Sequence, residues 1–339
     1  MIVSRTPFRI TLGGGGTDLP SYYENHGGFI FSFCLSKYMY ICLNRPSADD
    51  LIRLKYSISE AVESVDDLQH DIAKACLKRA GINSKIEIAS LSDIPAGSGL
   101  GSSSTYTVGL LNALYSIQGQ YKSLEFLADE ACTIEMDILK KPMGKQDQYL
   151  AALGGFVRLD IDKKGVVTPT KINLEKSIMN ELNRNLLIFY TGQQRKNNKI
   201  LNEQDRSTKK NNQEVLNSLH YIKESGYTIL EIVQSGNLDD LGLMFRDHWE
   251  RKKKLSSGVT NDTIDSIYDT ALKNGALGGK ISGAGGGGFF TFYCEEKQSQ
   301  LRHEMKKQGL IELRFDFDFE GTKVLANFMN YQTNSNGFS

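Results

Sequence analysis

The sequence predicts a protein of mixed helix and strand in two domains, and three observations lead to this prediction. The chain has 339 residues, a length that favours two domains, although one large domain would also be compatible with it. Aromatic and branched residues form strand-like runs at 28–43 and 52–57. From about residue 175 the composition shifts toward Asn, Lys and Gln in long polar helical stretches. We therefore expect one domain over 1–172 and another over 173–339.

Composition and charge exclude several classes of partner. Lys and Arg together number 40, as do Asp and Glu, so neither nucleic acid nor an anionic membrane is expected as a partner. No apolar run approaches the roughly 18 residues that a membrane span requires, and the chain does not begin with a secretion-signal pattern. The 5 cysteines are scattered and predict neither disulfides nor a zinc site. We expect a cytoplasmic protein.

The first predicted strand covers residues 2–12 and leads into a glycine cluster. The cluster runs from Gly13 to Gly16 and is followed by Thr17 and Asp18. A small polyol could lie in such a tight, open loop, with its hydroxyls donating hydrogen bonds to the Asp18 carboxylate. Asp18 could instead cap a turn. The sequence leaves both interpretations open.

The central feature of the chain is the stretch 95–104, between a predicted strand at 85–91 and a predicted helix at 106–117. Its alternating glycines let the backbone approach a ligand, and the helix N-terminus adds the positive end of its dipole. This arrangement predicts a phosphate-binding loop whose serines could contact phosphate or ligate a divalent cation. A flexible Gly/Ser turn is the alternative.

Two carboxylates follow on the next predicted helices. Residues 124–139 have the apolar stripe of an amphipathic helix, and Glu135 is adjacent to that stripe. By default such a residue is an exposed helix carboxylate. Asp147 opens a short apolar helix that ends at a pair of glycines. It could satisfy the helix dipole or serve as the acid/base group of an active site.

The remainder of the chain alternates strands with polar helices. Strands at 156–160 and 166–172 are predicted to pair as a hairpin. A short apolar strand at 186–190 then precedes helical stretches that extend to about residue 255. The basic run 251–254 is expected to form a solvated helix face.

Another glycine-rich loop, the third in the chain, occupies residues 278–288, between a predicted helix at 261–274 and a predicted strand at 289–293. It is not a P-loop, because Ile281 follows its lysine where that motif has Ser or Thr. No strand-loop-helix unit surrounds it, so it does not match a dinucleotide fingerprint either. Two such loops suggest two backbone walls that close on one ligand.

Together the glycine-rich motifs at 9–18, 95–104 and 280–289 resemble those of the GHMP small-molecule kinases, and the resemblance extends from Arg5 to about Lys323. Within that family, Gly-Gly-Gly-Thr-Asp combined with Gly-Leu-Gly-Ser-Ser-Ser is most similar to the D-glycero-D-manno-heptose 7-phosphate kinases. Galactokinases carry Glu-His in place of Gly15 and Gly16, which argues against galactose as the substrate.

The resemblance implies a fold of two α+β domains, the first like a ribosomal-protein-S5 domain and the second ferredoxin-like, with the active site between them. It implies ATP and Mg²⁺ as cofactors. The implied reaction is transfer of the γ-phosphoryl group to the anomeric hydroxyl of heptose 7-phosphate, within nucleotide-activated heptose biosynthesis. A fucokinase-like or N-acetylhexosamine kinase, or a non-catalytic sugar-binding regulator, is the alternative. The oligomeric state is open, a homodimer included.

The resemblance also implies roles for the two predicted carboxylates. Asp147 matches the aspartate beside the acceptor hydroxyl, and Arg9 matches the basic residue that accompanies it. Asp147 could act as general base, or it could orient the hydroxyl while Arg9 and Mg²⁺ acidify it. Glu135 and Ser103 match metal ligands, with Ser102 and Ser104 as alternatives to Ser103.

Two larger sets of residues complete the predicted site. The nucleotide is assigned to Pro95, Gly97, Ser98, Gly99, Leu100, Gly101, Ser102, Ser103 and Ser104. The sugar is assigned to Gly14, Gly15, Gly16, Thr17, Asp18, Gly283 and Gly285. The sugar's own phosphate requires a cation, and we assign it to Arg195 and Lys196, just after the strand at 186–190.

Overall fold

The computed structural model describes residues 1–193 and 199–328, which form two sheets with helices packed against them. The strands are β1 (Ile2–Gly13), β2 (Gly28–Asn44), β3 (Ile52–Lys55), β4 (Ser59–Val62), β5 (Ile86–Ser92), β6 (Phe156–Ile161), β7 (Val167–Ile172), β8 (Leu186–Tyr190), β9 (Gly278–Ile281), β10 (Phe289–Tyr293), β11 (Ile311–Glu312) and β12 (Lys323–Asn327). The helices are α1 (Pro20–His26), α2 (Asp71–Arg79), α3 (Ser102–Ile117), α4 (Leu124–Cys132), α5 (Gln146–Leu153), α6 (Lys176–Asn185), α7 (Lys199–Lys209), α8 (Gln213–Ser235), α9 (Leu241–Lys252), α10 (Asp262–Lys273) and α11 (Gln298–Lys307). A short 3-10 turn (Val65–Asp67) precedes α2, and a π-helix (Thr133–Ile138) continues α4.

The first sheet has 8 strands in the order β12-β1-β2-β5-β3-β4, with β6 paired to β2 and β7 paired to β6. All strand pairs in this sheet are antiparallel except the pair formed by β3 with β5, which is parallel. The second sheet has 4 antiparallel strands in the order β11-β8-β10-β9. Ile2 in the first strand pairs with Asn327 in the last, so the end of the described chain returns to the first sheet.

Helix α3 packs directly on β1. The Ser4 hydroxyl of β1 donates a 2.9 Å hydrogen bond to the Gly109 carbonyl of α3. A Cβ on Gly109 would lie 2.7 Å from the Thr6 hydroxyl, so the close approach requires glycine at this position. This packing holds the N-terminus of α3, and the loop before it, over the β1 strand that carries Arg9.

Most predicted elements are confirmed, including the hairpin of β6 and β7 and strands β8 and β10 with the predicted bounds. Helix α3, however, begins at Ser102 rather than 106. Gly101 adopts a left-handed conformation, with φ 86°, and caps the helix. The serines 102–104 therefore lie on the first helical turn. The domain boundary near residue 173 stays a prediction.

The predicted helix at 124–139 divides into α4 and the π-helix. In the wider turn the Leu139 amide donates to the Ile134 carbonyl, five residues back. Glu135 lies in this turn and has no exposed surface, so the default expectation of an exposed carboxylate is wrong. Within the described ranges, no helix combines the length and apolar character needed to span a bilayer.

Candidate active site

A cavity of about 130 Å³ lies where the glycine-rich loops of the sequence meet. The loop after β1 forms one wall, and the loop before α3 together with the start of α5 forms the next. Helices α7 and α9 and the loop after β9 close the remaining side. The cavity is therefore bounded by both halves of the chain, as a site between two domains requires.

The second glycine loop, 95–104, and the third, 278–288, approach each other closely through backbone atoms. A Cβ on Gly288, which has φ +96°, would lie 2.0 Å from the Ser98 carbonyl oxygen. The Gly288 amide also donates hydrogen bonds to the Gln193 carbonyl at 3.0 Å and the Thr191 hydroxyl at 3.1 Å. Only glycine permits this approach. It brings the loop after β9, in the second sheet, against the loop after β5, in the first sheet.

Arg9, which is buried, and Asp147, which is half-buried, form an ion pair on the cavity wall. Nε and Nη2 of Arg9 lie 2.7 Å and 2.6 Å from the same oxygen, Oδ1 of Asp147. The third nitrogen, Nη1, donates a 2.9 Å hydrogen bond to the Gly99 carbonyl in the second glycine loop. The other oxygen, Oδ2, has no hydrogen-bond partner within the described residues and lies beside Gly101. The arginine thus fixes one carboxylate oxygen and leaves the other for a ligand.

Asp18 is 2% exposed and lies on the wall next to Asp147. Oδ1 accepts from the Gly16 amide at 3.2 Å, and Oδ2 accepts from the Gln146 amide at 3.1 Å. Burial raises the pKa of Asp18 to about 6, and the neighbouring charge of Asp147 adds to the rise. Gly144 makes room for this carboxylate, because a Cβ there would lie 2.0 Å from Oδ2.

Glu135 lies behind the first turn of α3 rather than on the cavity wall. The hydroxyl of Ser103 donates a hydrogen bond to it, as do the Ser104 hydroxyl at 2.7 Å and the Gln148 amide nitrogen at 2.9 Å. Burial raises its pKa above the ordinary value, although the three donors act in the opposite direction. The π-helix, α3 and α5 therefore meet at this carboxylate.

Comparisons with known proteins agree with this architecture. The family model for the GHMP kinases N terminal domain matches residues 67–155, and the model for the GHMP kinases C terminal domain matches residues 229–310. The chain is 31% identical, over 341 residues, to the D-glycero-alpha-D-manno-heptose 7-phosphate kinase of Campylobacter jejuni. That match covers 95% of this chain and 98% of the relative. The chain belongs to the GHMP kinase family.

Solved structures support the GHMP kinase fold. A D-glycero-D-manno-heptose 1-phosphate kinase from Bacteroides thetaiotaomicron matches with a TM-score of 0.81 at 23% identity, covering 97% of this chain and 100% of that one. A putative sugar kinase from Campylobacter jejuni matches with a TM-score of 0.77 at 28% identity, covering 95% and 97%. The fold expected from the sequence motifs is confirmed. As a member of this family, the protein is an ATP-dependent kinase.

Not every residue assigned from the sequence reaches the cavity of this GHMP kinase. The Thr17 hydroxyl is fully buried and donates to the carbonyls of Gly14 at 2.8 Å and Phe29 at 2.9 Å. It holds the first glycine loop from behind. Gly14 itself packs on Phe29, since a Cβ there would lie 1.8 Å from the Phe29 oxygen. The loop presents Gly15 and Gly16 instead.

The residues that the sequence assigned to the nucleotide lie in different environments. Gly99 and Gly101 line the cavity, whereas Pro95 and Gly97 are exposed at its outer edge. Leu100 is buried in the core.

In the third loop, Gly283 lines the cavity and Gly285 packs on Val259 instead. Arg195 and Lys196 lie outside the described residues.

Three basic side chains that the sequence reasoning did not assign line the same cavity: His248, Lys252 and Lys280. The expectation of a solvated face at 251–254 is wrong for Lys252, whose residue is 9% exposed. Its Nζ donates hydrogen bonds of 2.6 Å to the carbonyls of Ile281 and Gly283. The sequence did contain a signal, because Lys252 continues the buried positions 241, 245 and 249 of α9 at helical spacing.

Proposed function

We propose that this GHMP kinase transfers the γ-phosphoryl group of ATP to the anomeric hydroxyl of D-glycero-D-manno-heptose 7-phosphate. The observation that carries the proposal is the Arg9–Asp147 pair, which leaves one carboxylate oxygen open beside a glycine loop at a helix N-terminus. The similarity along nearly the whole chain to a heptose 7-phosphate kinase supports the choice of acceptor. We further propose that the enzyme acts in the cytoplasm, in nucleotide-activated heptose biosynthesis.

In the proposed reaction, Oδ2 of Asp147 accepts the proton of the sugar hydroxyl as the hydroxyl oxygen attacks the γ-phosphorus of ATP. The bond from that phosphorus to the β,γ-bridging oxygen breaks, and ADP leaves. Arg9 holds Oδ1 of Asp147 and so fixes the orientation of the carboxylate. Amides of the second glycine loop and the start of α3 stabilise the charge on the transferred phosphoryl group. Asp18 accepts hydrogen bonds from other sugar hydroxyls and fixes the ring. Whether Asp147 takes the proton or only orients the hydroxyl is tested by substitution, as described in the Discussion.

The residues at the start of α3 fit a nucleotide with Mg²⁺. The buried hydroxyls of Ser98 and Ser102 have no hydrogen-bond partner among residues 1–193 and 199–328, so donors are present where phosphate oxygens are expected. The Ser103 hydroxyl donates a hydrogen bond to Glu135, and its oxygen lone pairs stay available to a hard cation. When bound, Mg²⁺ neutralises charge on the β- and γ-phosphate oxygens. We propose that Ser103 is the ligand and that Glu135 belongs to the same site as the group that orients it.

Coupled ADP release with ATP, Mg²⁺ and a panel of sugars tests the proposal. The panel comprises heptose 7-phosphate, unphosphorylated heptose, fucose, galactose and an N-acetylhexosamine. We expect the highest kcat/KM with heptose 7-phosphate. Turnover with only an unphosphorylated sugar would keep the kinase and reject the heptose phosphate. No turnover with any sugar would favour the non-catalytic regulator.

A further inference from the structure

The lining of the cavity includes three basic residues, His248, Lys252 and Lys280, which we call the basic wall. All three residues are buried, with exposed fractions of 2%, 9% and 4% respectively. The ammonium of Lys280 donates to the Leu12 carbonyl and lies 4.9 Å from the centre of the Phe245 ring. Among the residues that the structure describes, no carboxylate lies within ion-pair distance of Lys280.

Burial of like charges side by side is costly unless an anion is bound there. Burial and the neighbouring Lys252 lower the pKa of Lys280 well below its ordinary value. Burial and both lysines likewise lower the pKa of His248. Nδ1 of His248 is buried and has no hydrogen-bond partner within the described residues. A ligand with anionic oxygens would compensate the charge and complete the hydrogen bonding of this ring.

The basic wall adjoins the sugar side of the cavity rather than the nucleotide loop. Lys280 is tied to Leu12, immediately before the first glycine loop, which the proposed function gives to the sugar. Lys252 holds the third loop at Ile281 and Gly283. The cavity lining thus combines a carboxylate, Asp18, with the basic wall. A sugar with a reactive hydroxyl at one end and a phosphate at the other has the complementary polarity.

We propose that the basic wall binds the phosphate that the sugar substrate carries away from its reactive hydroxyl. It thereby determines the preference for a phosphorylated over an unphosphorylated sugar. This inference rests on the proposed function, which requires a phosphorylated acceptor. It assigns the phosphate to residues of α9 and β9, whereas the candidates Arg195 and Lys196 lie outside the described residues.

Substitution Lys252→Met tests the inference through a ratio of two substrates. The measured quantity is kcat/KM for heptose 7-phosphate divided by kcat/KM for unphosphorylated heptose. We expect the ratio to fall by about 10- to 100-fold, the usual effect of losing a hydrogen bond to a charged group. Lys252→Arg keeps the charge and should keep most of the ratio. Lys254→Met is the matched control, because Lys254 is exposed and pairs with Glu214 at 3.4 Å.

The second variant, His248→Gln, covers the case in which Lys252→Met does not fold, and it should lower the ratio as well. An equal loss with both sugars would show that Lys252 only supports the third loop, and would overturn the inference. A higher KM for ATP with an unchanged ratio would assign the wall to the nucleotide and would overturn it too. Wild-type enzyme that rejects heptose 7-phosphate would contradict the proposed function and this inference with it. A normal wild-type preference with unchanged variant ratios would contradict the inference alone.

Discussion

Arg9 contacts Asp147 with two nitrogens, and both lie close to the same carboxylate oxygen. This asymmetry matters chemically, because it leaves both lone pairs of Oδ2 available to the acceptor hydroxyl. The third nitrogen of Arg9 donates to the Gly99 carbonyl, so the arginine also links Asp147 to the loop that we propose binds the nucleotide. At the residue scale, one side chain therefore positions the carboxylate and links it to the second glycine loop.

Asp147→Asn should lower kcat by on the order of 10²- to 10⁴-fold, because an amide cannot accept the proton. The affinity for ATP should stay close to that of the wild type. Steady-state kinetics and a nucleotide titration check both expectations. Asp137→Asn, at an exposed position on the neighbouring π-helix, is the control. A wild-type kcat in Asp147→Asn would refute the base assignment and favour an orienting role.

Asp18 should give the free enzyme a distinctive dependence of stability on pH. Its pKa is about 6 in the folded state and 3.8 in the ordinary reference state, so folding favours the protonated form. The stabilising contribution of Asp18 is complete below its reference pKa of 3.8 and is lost as the pH rises through its folded-state pKa of about 6. The loss is on the order of 3 kcal/mol. Urea unfolding of wild type and Asp18→Asn between pH 4 and 8 measures it.

The stability of wild type relative to Asp18→Asn should fall as the pH rises across that interval. In Asp18→Asn, the uncharged side-chain amide faces the backbone N–H donors of Gly16 and Gln146 at every pH. The resulting loss of stability is therefore the same at every pH, so it lowers the curve of stability against pH without changing its slope. Parallel curves for the two proteins would show that Asp18 does not titrate in this range.

At the scale of elements, the site depends on contacts between loops that belong to different sheets. The third glycine loop rests on the second at Gly288 and Ser98. The π-helix turns Glu135 inward to the serines of α3. Each of these arrangements requires a local departure from regular geometry, either a positive φ or a widened helical turn.

Gly288→Ala should weaken ATP binding at least about 10-fold, because the new methyl group would force the third loop away from the second. Gly309→Ala is the matched control. Both glycines have positive φ, +96° and +80°, but a Cβ on Gly309 meets nothing within 4 Å. Both variants should lose about 1–2 kcal/mol of stability from backbone strain. If a folded Gly288→Ala protein binds ATP as the control does, the loop contact does not shape the nucleotide site.

At the scale of the whole molecule, the end of the described chain closes the first sheet. Asp318 is 3% exposed, and its carboxylate accepts from Tyr38 at 3.1 Å and from the Gly321 amide at 2.8 Å. Arg5 lies 3.4 Å from the same carboxylate. The Gly155 amide, just after α5, donates to the Asp318 carbonyl at 2.6 Å. One residue near the chain end thus joins β1, β2 and the end of the helix that begins with Asp147.

Asp318→Ala should lower the free energy of unfolding by about 3 kcal/mol, because it leaves buried donors and a cation without their partner. Asp316→Ala, two residues earlier and exposed, should change it little. Chemical denaturation of both variants measures the difference. Equal stabilities would show that the chain end contributes no more than its exposed neighbours.

Much of this fold could be predicted from the sequence because its signals are local. Strand-like runs, helical spacing and glycine stops located β8, β10 and the β6–β7 hairpin. The order of the glycine motifs indicated the GHMP kinase family, which the comparisons confirm. The roles of Asp147, Arg9, Glu135 and Ser103 stay predictions. The structure adds that Arg9 and Asp147 are in contact and that Glu135 lies behind Ser103.

Side-chain burial was less predictable, because it depends on partners that are distant in sequence. Thr17 was expected at the sugar and instead holds its own loop. Lys252 was expected in solvent and instead holds the third loop from α9. The residue type alone gives the charge and the hydrogen-bonding groups of a side chain. The direction in which that side chain lies depends on which element packs against it.

The sequence by itself determined the family, the glycine motifs and the kinds of group that the chemistry requires, since these depend on residue type and local spacing. The tertiary structure alone decided which groups share the cavity. It placed Asp18 beside Asp147 and brought the basic wall to the same cavity, through contacts between segments more than 100 residues apart. The physical reason is that packing and desolvation act between neighbours in space, and single-residue patterns do not record those neighbours.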